Sequence, residues 1–116
     1  MKFKIQTNKK ISVKQRNVLL SLFIENISFI STDEGITKIH FKNNENPVFT
    51  TRILKEFEEE LYEFGFVRVR SNFLVNIYFV KSINGGSSKQ LSLLNAEKTP
   101  ISRRNYSRVK EILASL

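Results

Sequence analysis

Two arginines on alternate positions of Gly65-Phe66-Val67-Arg68-Val69-Arg70-Ser71-Asn72-Phe73-Leu74-Val75-Asn76, and an arginine pair in Pro100-Ile101-Ser102-Arg103-Arg104, are the residues best suited to ligand chemistry. A guanidinium is a permanently charged, planar fork that matches a phosphate or a guanine edge with two parallel hydrogen bonds. Alternate strand positions share one side, so Arg68 and Arg70 are expected to project together, opposite Val67 and Val69, with Ser71 and Asn72 as a polar corner beyond them. Arg103 and Arg104 fall in the first turn of a helix predicted by the spacing of Tyr106, Val109, Ile112, Leu113 and Leu116, with Ser102 as its N-cap. Free N–H groups and the macrodipole already make that end positive, so cations there cost on the order of tenths of a kcal/mol each. The pair makes sense when an anion arrives, because amide donors and guanidinium groups then grip one phosphate or reach past it to a base edge. Ordinary surface arginines, tolerated at small cost, are the alternative.

Other chemistries find little support. There are no cysteines, hence no disulfide framework and no thiolate zinc site. His40 is the single histidine and lies on the charged side of a strand, which argues against a metal centre. Gly85-Gly86-Ser87-Ser88 lacks the spacing and the following helix of a phosphate loop, and reads as a hairpin tip. No nucleophile has a base and an orienting partner, so we expect neither an enzyme nor a small-molecule substrate, cofactor or metal. The acids Glu56, Glu58, Glu59, Glu60 and Glu63 could be metal ligands or paired carboxylates, but a solvated helix face explains them.

Charge points to a polyanion. The net charge is +8, yet five of the eleven acids sit in that one short segment, leaving the remainder strongly basic. Nucleic acid is the leading partner, against the alternative of a merely basic protein. At 116 residues and 41% hydrophobic, the chain can bury one modest core and should form a single domain over 1–116. The apolar runs around Val18 to Ile24 and Phe73 to Val80 are too short to span a membrane, and Met1-Lys2-Phe3-Lys4-Ile5-Gln6 has no apolar signal-peptide region. We expect a soluble, cytoplasmic protein.

The elements that must position the arginines follow from periodicity. Lys2 to Gln15 alternates weakly and predicts a short pair of exposed strands around a turn at Asn8. Ile27-Ser28-Phe29-Ile30 reads as a core strand and Asp33-Glu34-Gly35 as a turn. Ile36 to Lys42 puts Ile39 and Phe41 on one face and Lys38, His40 and Lys42 on the other, before a reversal at 43–47 and the strand Val48-Phe49-Thr50. Ile53, Leu54, Phe57, Leu61 and Phe64 predict a helix of about three turns, capped by Thr50 or Thr51 and stopped by Gly65. Beyond Phe73 come a turn at Asn84-Gly85-Gly86-Ser87, the strand Gln90 to Leu94, a turn at 95–98, and a short strand ending at Ile101.

Taken in order, these pieces resemble the LytTR DNA-binding domain, a bacterial transcription-regulator module with a signature close to F-x-R-x-H-R-S-Y-L-V-N and a later V-S-R element. The parts are Ile27-Ser28-Phe29-Ile30, the hairpin to Phe49, the helix from Arg52 to Leu61, Phe66-Val67-Arg68, Leu74-Val75-Asn76 and Ile101-Ser102-Arg103-Arg104. The resemblance runs from about Ile24 to Leu113, leaving 1–23 as N-terminal strands or an extension. It implies a mostly β, elongated antiparallel domain with one mid-chain and one C-terminal helix, reading DNA through loops and strand ends instead of a helix-turn-helix. By position it implies that Ser71 and Arg104 face the major groove, with Arg103 adjacent and a third contact at Thr37 and Lys38. The candidate DNA-binding set is therefore Thr37, Lys38, Arg68, Arg70, Ser71, Asn72, Arg103 and Arg104. Arg70 stands where the family has histidine, Ser71 replaces a longer polar residue, and Asn72 and Phe73 replace serine and tyrosine, so the preferred sequence should differ. Phe66, Leu74, Val75 and Asn76 read as structural, Asn76 by satisfying backbone groups at a bend.

The expected function is sequence-specific binding of double-stranded DNA by a transcriptional regulator. Alternatives are a protein-interaction module, using its β edge and acidic helix, or an RNA-binding β domain that stacks bases on exposed aromatics. Response regulators of this class carry a receiver domain ahead of the LytTR part, and the residues before Ile24 leave no room for one. We therefore expect an excised domain or, given the Met1 start, a stand-alone regulator. It could self-associate on repeated sites or answer to a separate protein, a receiver or a membrane-bound one that sequesters it.

Overall fold

A strand beginning Ile27-Ser28-Phe29-Ile30 carries no charge on either side, which suits the middle of a sheet covered on both faces. In the computed structural model, which describes residues 2–116, that strand is the middle one of the largest sheet. Along the chain the strands are β1 (Lys10–Gln15), β2 (Val18–Phe23), β3 (Ile27–Asp33), β4 (Ile36–Phe41), β5 (Val48–Thr50), β6 (Phe66–Arg70), β7 (Phe73–Asn76), β8 (Val80–Asn84), β9 (Gln90–Leu93) and β10 (Lys98–Pro100). The helices are α1 (Leu54–Leu61) and α2 (Arg103–Ala114). All pairing is antiparallel: a five-stranded sheet β5-β4-β3-β7-β6, a three-stranded sheet β10-β9-β8, and the separate hairpin β1-β2. The fold is mostly β with one mid-chain and one C-terminal helix, and its extents of 43 × 31 × 24 Å make it elongated, as the sequence led us to expect.

The large sheet separates two apolar cores. On one face Ile30, Ile39, Val48 and Leu74 pack with Leu54, Phe57 and Leu61 of α1 and with Ile11 and Val13 of β1. On the other, Phe29, Val67, Val69 and Val75 pack with Leu91 and Leu93 of β9, Ile101, and Val109 and Ile112 of α2. Each such side chain, fully buried, is worth about 1.5–3 kcal/mol. Ile27 and Ile30 are three residues apart yet share a core, because a register shift at Ser28 inserts one extra residue into β3.

Two expectations about local structure are corrected. The N-terminal hairpin turns at Arg16 and Asn17, pairing Lys10–Gln15 with Val18–Phe23, and the described residues before Asn8, 2–7, form no strand. Asn8 does turn the chain, at φ 64°, but the segment ahead of it is drawn onto the 3-10 turn Tyr62–Phe64 that follows α1, where the Lys4 N–H donates to the Glu63 carbonyl at 2.7 Å. Helix α1 begins later than expected, with Ile53 at its N-cap and no side-chain cap. Thr50 instead ends β5, its Oγ1 accepting the Arg52 N–H at 3.3 Å, because the chain needs 51–53 to pass from the sheet edge onto its face. Gly65 is the expected stop. It lies at φ 91°, and a Cβ there would sit 2.8 Å from the Tyr78 ring.

Asn76 closes the bend between β7 and β8. Its Oδ1 accepts the Tyr78 N–H at 3.2 Å and its Nδ2 donates to the Ile27 carbonyl at 2.9 Å. It also exchanges two amide hydrogen bonds with Gln6, at 2.9 and 3.1 Å, which holds the N-terminal segment against the sheet. Asn76→Leu leaves these buried groups without partners, so we expect a loss of about 2–4 kcal/mol in urea unfolding at unchanged m-value.

His40 lies flat on Phe29, ring centroids 4.0 Å apart, with its Nε2 3.1 Å from the Ser31 Oγ. Burial pushes its pKa below 6.5, against the nearby Glu97 carboxylate that raises it and with Lys38 that lowers it. The unfolded chain therefore takes the proton first. Stability from this site is complete above about 6.5 and declines as pH falls through that value toward the folded pKa. His40→Gln should abolish that part of the decline, seen as a gap between variant and wild-type denaturation midpoints that changes as pH is lowered from about 7 to about 5.

Candidate nucleic-acid interface

Antiparallel register gathers the candidate residues at one end of the large sheet. The exits of β3, β5 and β6 and the entries of β4 and β7 lie together there, and the Thr32 N–H reaches the Asn72 carbonyl at 3.1 Å across the end. One pairing row crosses all five strands, through Phe49, Lys38, Ser31, Phe73 and Arg70.

The row depends on an irregularity in β6. Arg68 pairs with Leu74, but Arg70 pairs with Phe73, so Val69 is an extra residue in the ladder. The expectation that Arg68 and Arg70 project together fails for this reason. Arg68 turns to the α1 side, where its Nη2 pairs with Glu58 at 3.1 Å and its Nη1 donates to the Ser71 carbonyl at 2.7 Å. Arg70 is exposed and lines a shallow groove of about 340 Å³ with Ser102, Arg103 and the β8–β9 loop residues Ser87, Ser88 and Lys89.

Helix α2 is fixed to the same irregularity. The Ser102 N–H donates to the Val69 carbonyl at 3.0 Å, and the Arg108 Nη2 to the Arg68 carbonyl at 2.7 Å, closing the open edge of β6. Ser102 caps the helix as expected, its Oγ accepting the Asn105 N–H at 3.2 Å, and no acid lies in the first turn. Arg103 is thereby held beside Arg70 in a region of positive helix-end potential, with Arg104 exposed next to it in the same first turn. The β8–β9 loop forms the opposite wall. Lys89 lies over the Tyr106 ring at 4.8 Å and donates to the Gly85 carbonyl at 3.2 Å, and any side chain at Gly85 would collide with the Tyr106 hydroxyl.

The ion pairs divide the cations by role. All three among the described residues involve acids of the α1 region: Lys4 with Glu63, Arg52 with Glu60, and Arg68 with Glu58. Arg70, Arg103 and Arg104 meet no acid and no internal acceptor among the described residues. Of the remaining candidates, Lys38 is exposed with its ammonium 5.4 Å from the Phe49 ring centroid, Ser71 is exposed, and Asn72 is half-buried with its Oδ1 lacking a donor. Thr37 needs correction as a contact: it is 1% exposed, and its hydroxyl donates to the Arg52 carbonyl at 2.7 Å. It points inward because it shares the face of Ile39 and Phe41, one strand period away.

Lys89 and Arg108 escaped the sequence reading. A hairpin tip shows its turn but not what it folds onto, and Arg108 looks like one more charge on a helix face. Their signal was available only in pairs, as the spacing of Arg108 from Asn105 and the nearness of Lys89 to a glycine-rich tip.

Comparison with known proteins agrees with this geometry. A sequence model of the LytTr DNA-binding domain matches residues 17–114. A solved LytTr DNA-binding domain from Bacillus cereus, of a protein described as a methyl-accepting/DNA response regulator, superposes with a TM-score of 0.75 at 23% identity. The match covers 90% of this chain and 95% of that one. No curated protein matches the chain. With a family match over most of its length and the fold to go with it, the chain belongs to the LytTR family of DNA-binding domains.

Proposed function

We propose that this domain binds duplex DNA sequence-specifically as a bacterial transcriptional regulator acting in the cytoplasm. In this reading it sets the sheet end, the groove and the start of α2 against a major groove. The observation that carries the reading is the division of cations: the arginines near the acidic helix are paired, whereas among the described residues Arg70 and Arg103 stand unpaired in one groove and Arg104 unpaired and exposed next to Arg103 on α2. Phosphates would be gripped by Arg70, Arg103 and the α2 N-terminus, and base edges approached by Ser71, Asn72 and Arg104, with Lys38 at the flank. Arg68 and Thr37 then serve as supports of the corner instead of contacts. The turn between β3 and β4 carries exposed Asp33 and Glu34, so the duplex backbone would pass on the α2 side of the sheet end. Helix α1, with exposed Glu56 and Glu59, would face away and remain available to a regulatory protein.

The reading is tested by selecting bound sites from random duplex DNA. Enrichment of one motif, with log K falling by about 0.9 per neutralised phosphate against log salt, is the expected result. Absence of any motif, or a salt-insensitive affinity, would sink it.

Arg68 and Arg70 should separate cleanly. Arg70→Ala is expected to lower affinity and make the salt slope shallower by about one phosphate, at unchanged stability. Arg68→Ala removes two hydrogen-bonded contacts of the corner, so it should cost about 1–2 kcal/mol of folding stability and leave the slope alone. Equal slope changes in binding titrations would show that Arg68 leaves Glu58 to meet a phosphate.

A further inference from the structure

The hairpin β1-β2 ends in an open edge. Strand β2 reads Val18-Leu19-Leu20-Ser21-Leu22-Phe23, with no charge, proline or bulge across six residues, and it pairs only with β1. The Ile24 N–H continues that ladder to the Lys9 carbonyl at 2.9 Å. Hydrogen-bonded pairs alternate along an antiparallel ladder, so Val18, Leu20 and Leu22 bond inward to β1. The backbone groups of Leu19 and Ser21 and the Phe23 N–H therefore point away, and among the described residues nothing bonds to them, whereas the Phe23 carbonyl caps the short 3-10 turn Ile24–Asn26. Their side chains share the outer face, where Leu19 is 73% and Phe23 38% exposed, and Val18 beside them is 54% exposed. Proteins ordinarily protect such an edge with a charge, a proline or a covering segment, and this one has none of these.

We propose that β2 pairs antiparallel with β2 of a second copy of this chain, forming a two-fold dimer with a continuous four-stranded sheet β1-β2-β2-β1. Self-pairing selects this occupant, because a two-fold axis normal to the sheet through Ser21 brings the edge into register with itself. Ser21 then faces Ser21, Leu19 faces Phe23 on the outer face, and Leu20 faces Leu22 on the inner one. The outward N–H groups of Leu19, Ser21 and Phe23 find acceptors in this register, and the exposed Leu19 and Phe23 side chains of the outer face meet each other. The strand's flanks are of opposite sign, with Arg16 before it and Glu25 after it, and antiparallel pairing lays each flank beside the other's. The inference does not rest on the DNA-binding reading, and its test uses free protein, so either can fail alone.

The chain has no cysteine, which makes the axis directly testable. Ser21→Cys should form a disulfide-linked dimer on treatment with diamide, since directly opposed residues lie within bridging distance. Ser12→Cys, on the exposed face of β1 and one strand away from the axis, should not. By sedimentation equilibrium the wild type should show a reversible monomer–dimer equilibrium. Leu19→Lys, a change at an exposed side chain that leaves the fold intact, should weaken it by on the order of tenfold or more. A wild type that stays monomeric at every soluble concentration would overturn the proposal and leave the edge to an extended segment of another protein. So would cross-linking of Ser21→Cys no faster than Ser12→Cys.

Discussion

One extra residue in β6 organises this domain. Without Val69 out of step, Arg68 and Arg70 would lie on the same side of the sheet, and that side is covered by an acidic helix. The irregularity leaves Arg68 facing Glu58 and brings Arg70 into the row of Phe73, Ser31 and Lys38. It also presents the Val69 carbonyl to the Ser102 N–H, so the same residue that re-aims Arg70 sets the starting point of α2. Bulges bend a strand and redirect a side chain at the cost of one ladder position, and here a helix N-terminus closes the edge nearby.

The acidic helix is the electrostatic counterpart of that arrangement. Glu58, Glu60 and Glu63 draw in Arg68, Arg52 and Lys4, so cations near α1 are held close to their partners. Such half-exposed pairs add little to stability, typically below about 1 kcal/mol each. Their effect on the field is larger: they cancel positive charge on one flank and leave the excess of a +8 chain toward the sheet end and the N-terminal hairpin.

Much of this was legible in the sequence because it rests on local rules. The period of two in Ile36 to Phe41, the helical spacing of Leu54, Phe57 and Leu61, the left-handed stop at Gly65 and the cap at Ser102 each depend on residues close in the chain. What was not legible is of longer range. A V-R-V-R segment alternates identically with or without a bulge, since the pattern records side-chain polarity and not which cross-strand partner is met. Gln6 gave no sign that it would close on Asn76, seventy positions away, and without that contact the weak alternation before Asn8 reads as a strand. Thr37 was placed by a family position alone, whereas its own strand period turns it inward.

Rigidity decides how the candidate groove can work. Its walls come from three separate stretches of chain: the end of β6, the β8–β9 loop and the start of α2. Each is fixed by contacts that leave the free guanidinium groups untouched: Ser102 on the Val69 carbonyl, Arg108 on the Arg68 carbonyl, Lys89 over Tyr106. Flexible side chains on a fixed frame lose only their own rotamer freedom on binding, about 0.5–1.5 kcal/mol each, and the backbone adds no further ordering cost. The frame would therefore behave alike on any duplex, and differences between sequences would have to arise at the few side chains that reach beyond it. Ser71 and Asn72 are short, so they can discriminate only at close approach, whereas Arg104 can extend to a base edge from the helix start. On the proposed reading, a domain built this way would change its preferred sequence by exchanging residues at 71, 72 and 104 while the bulge, the cap and the edge closure stay as they are.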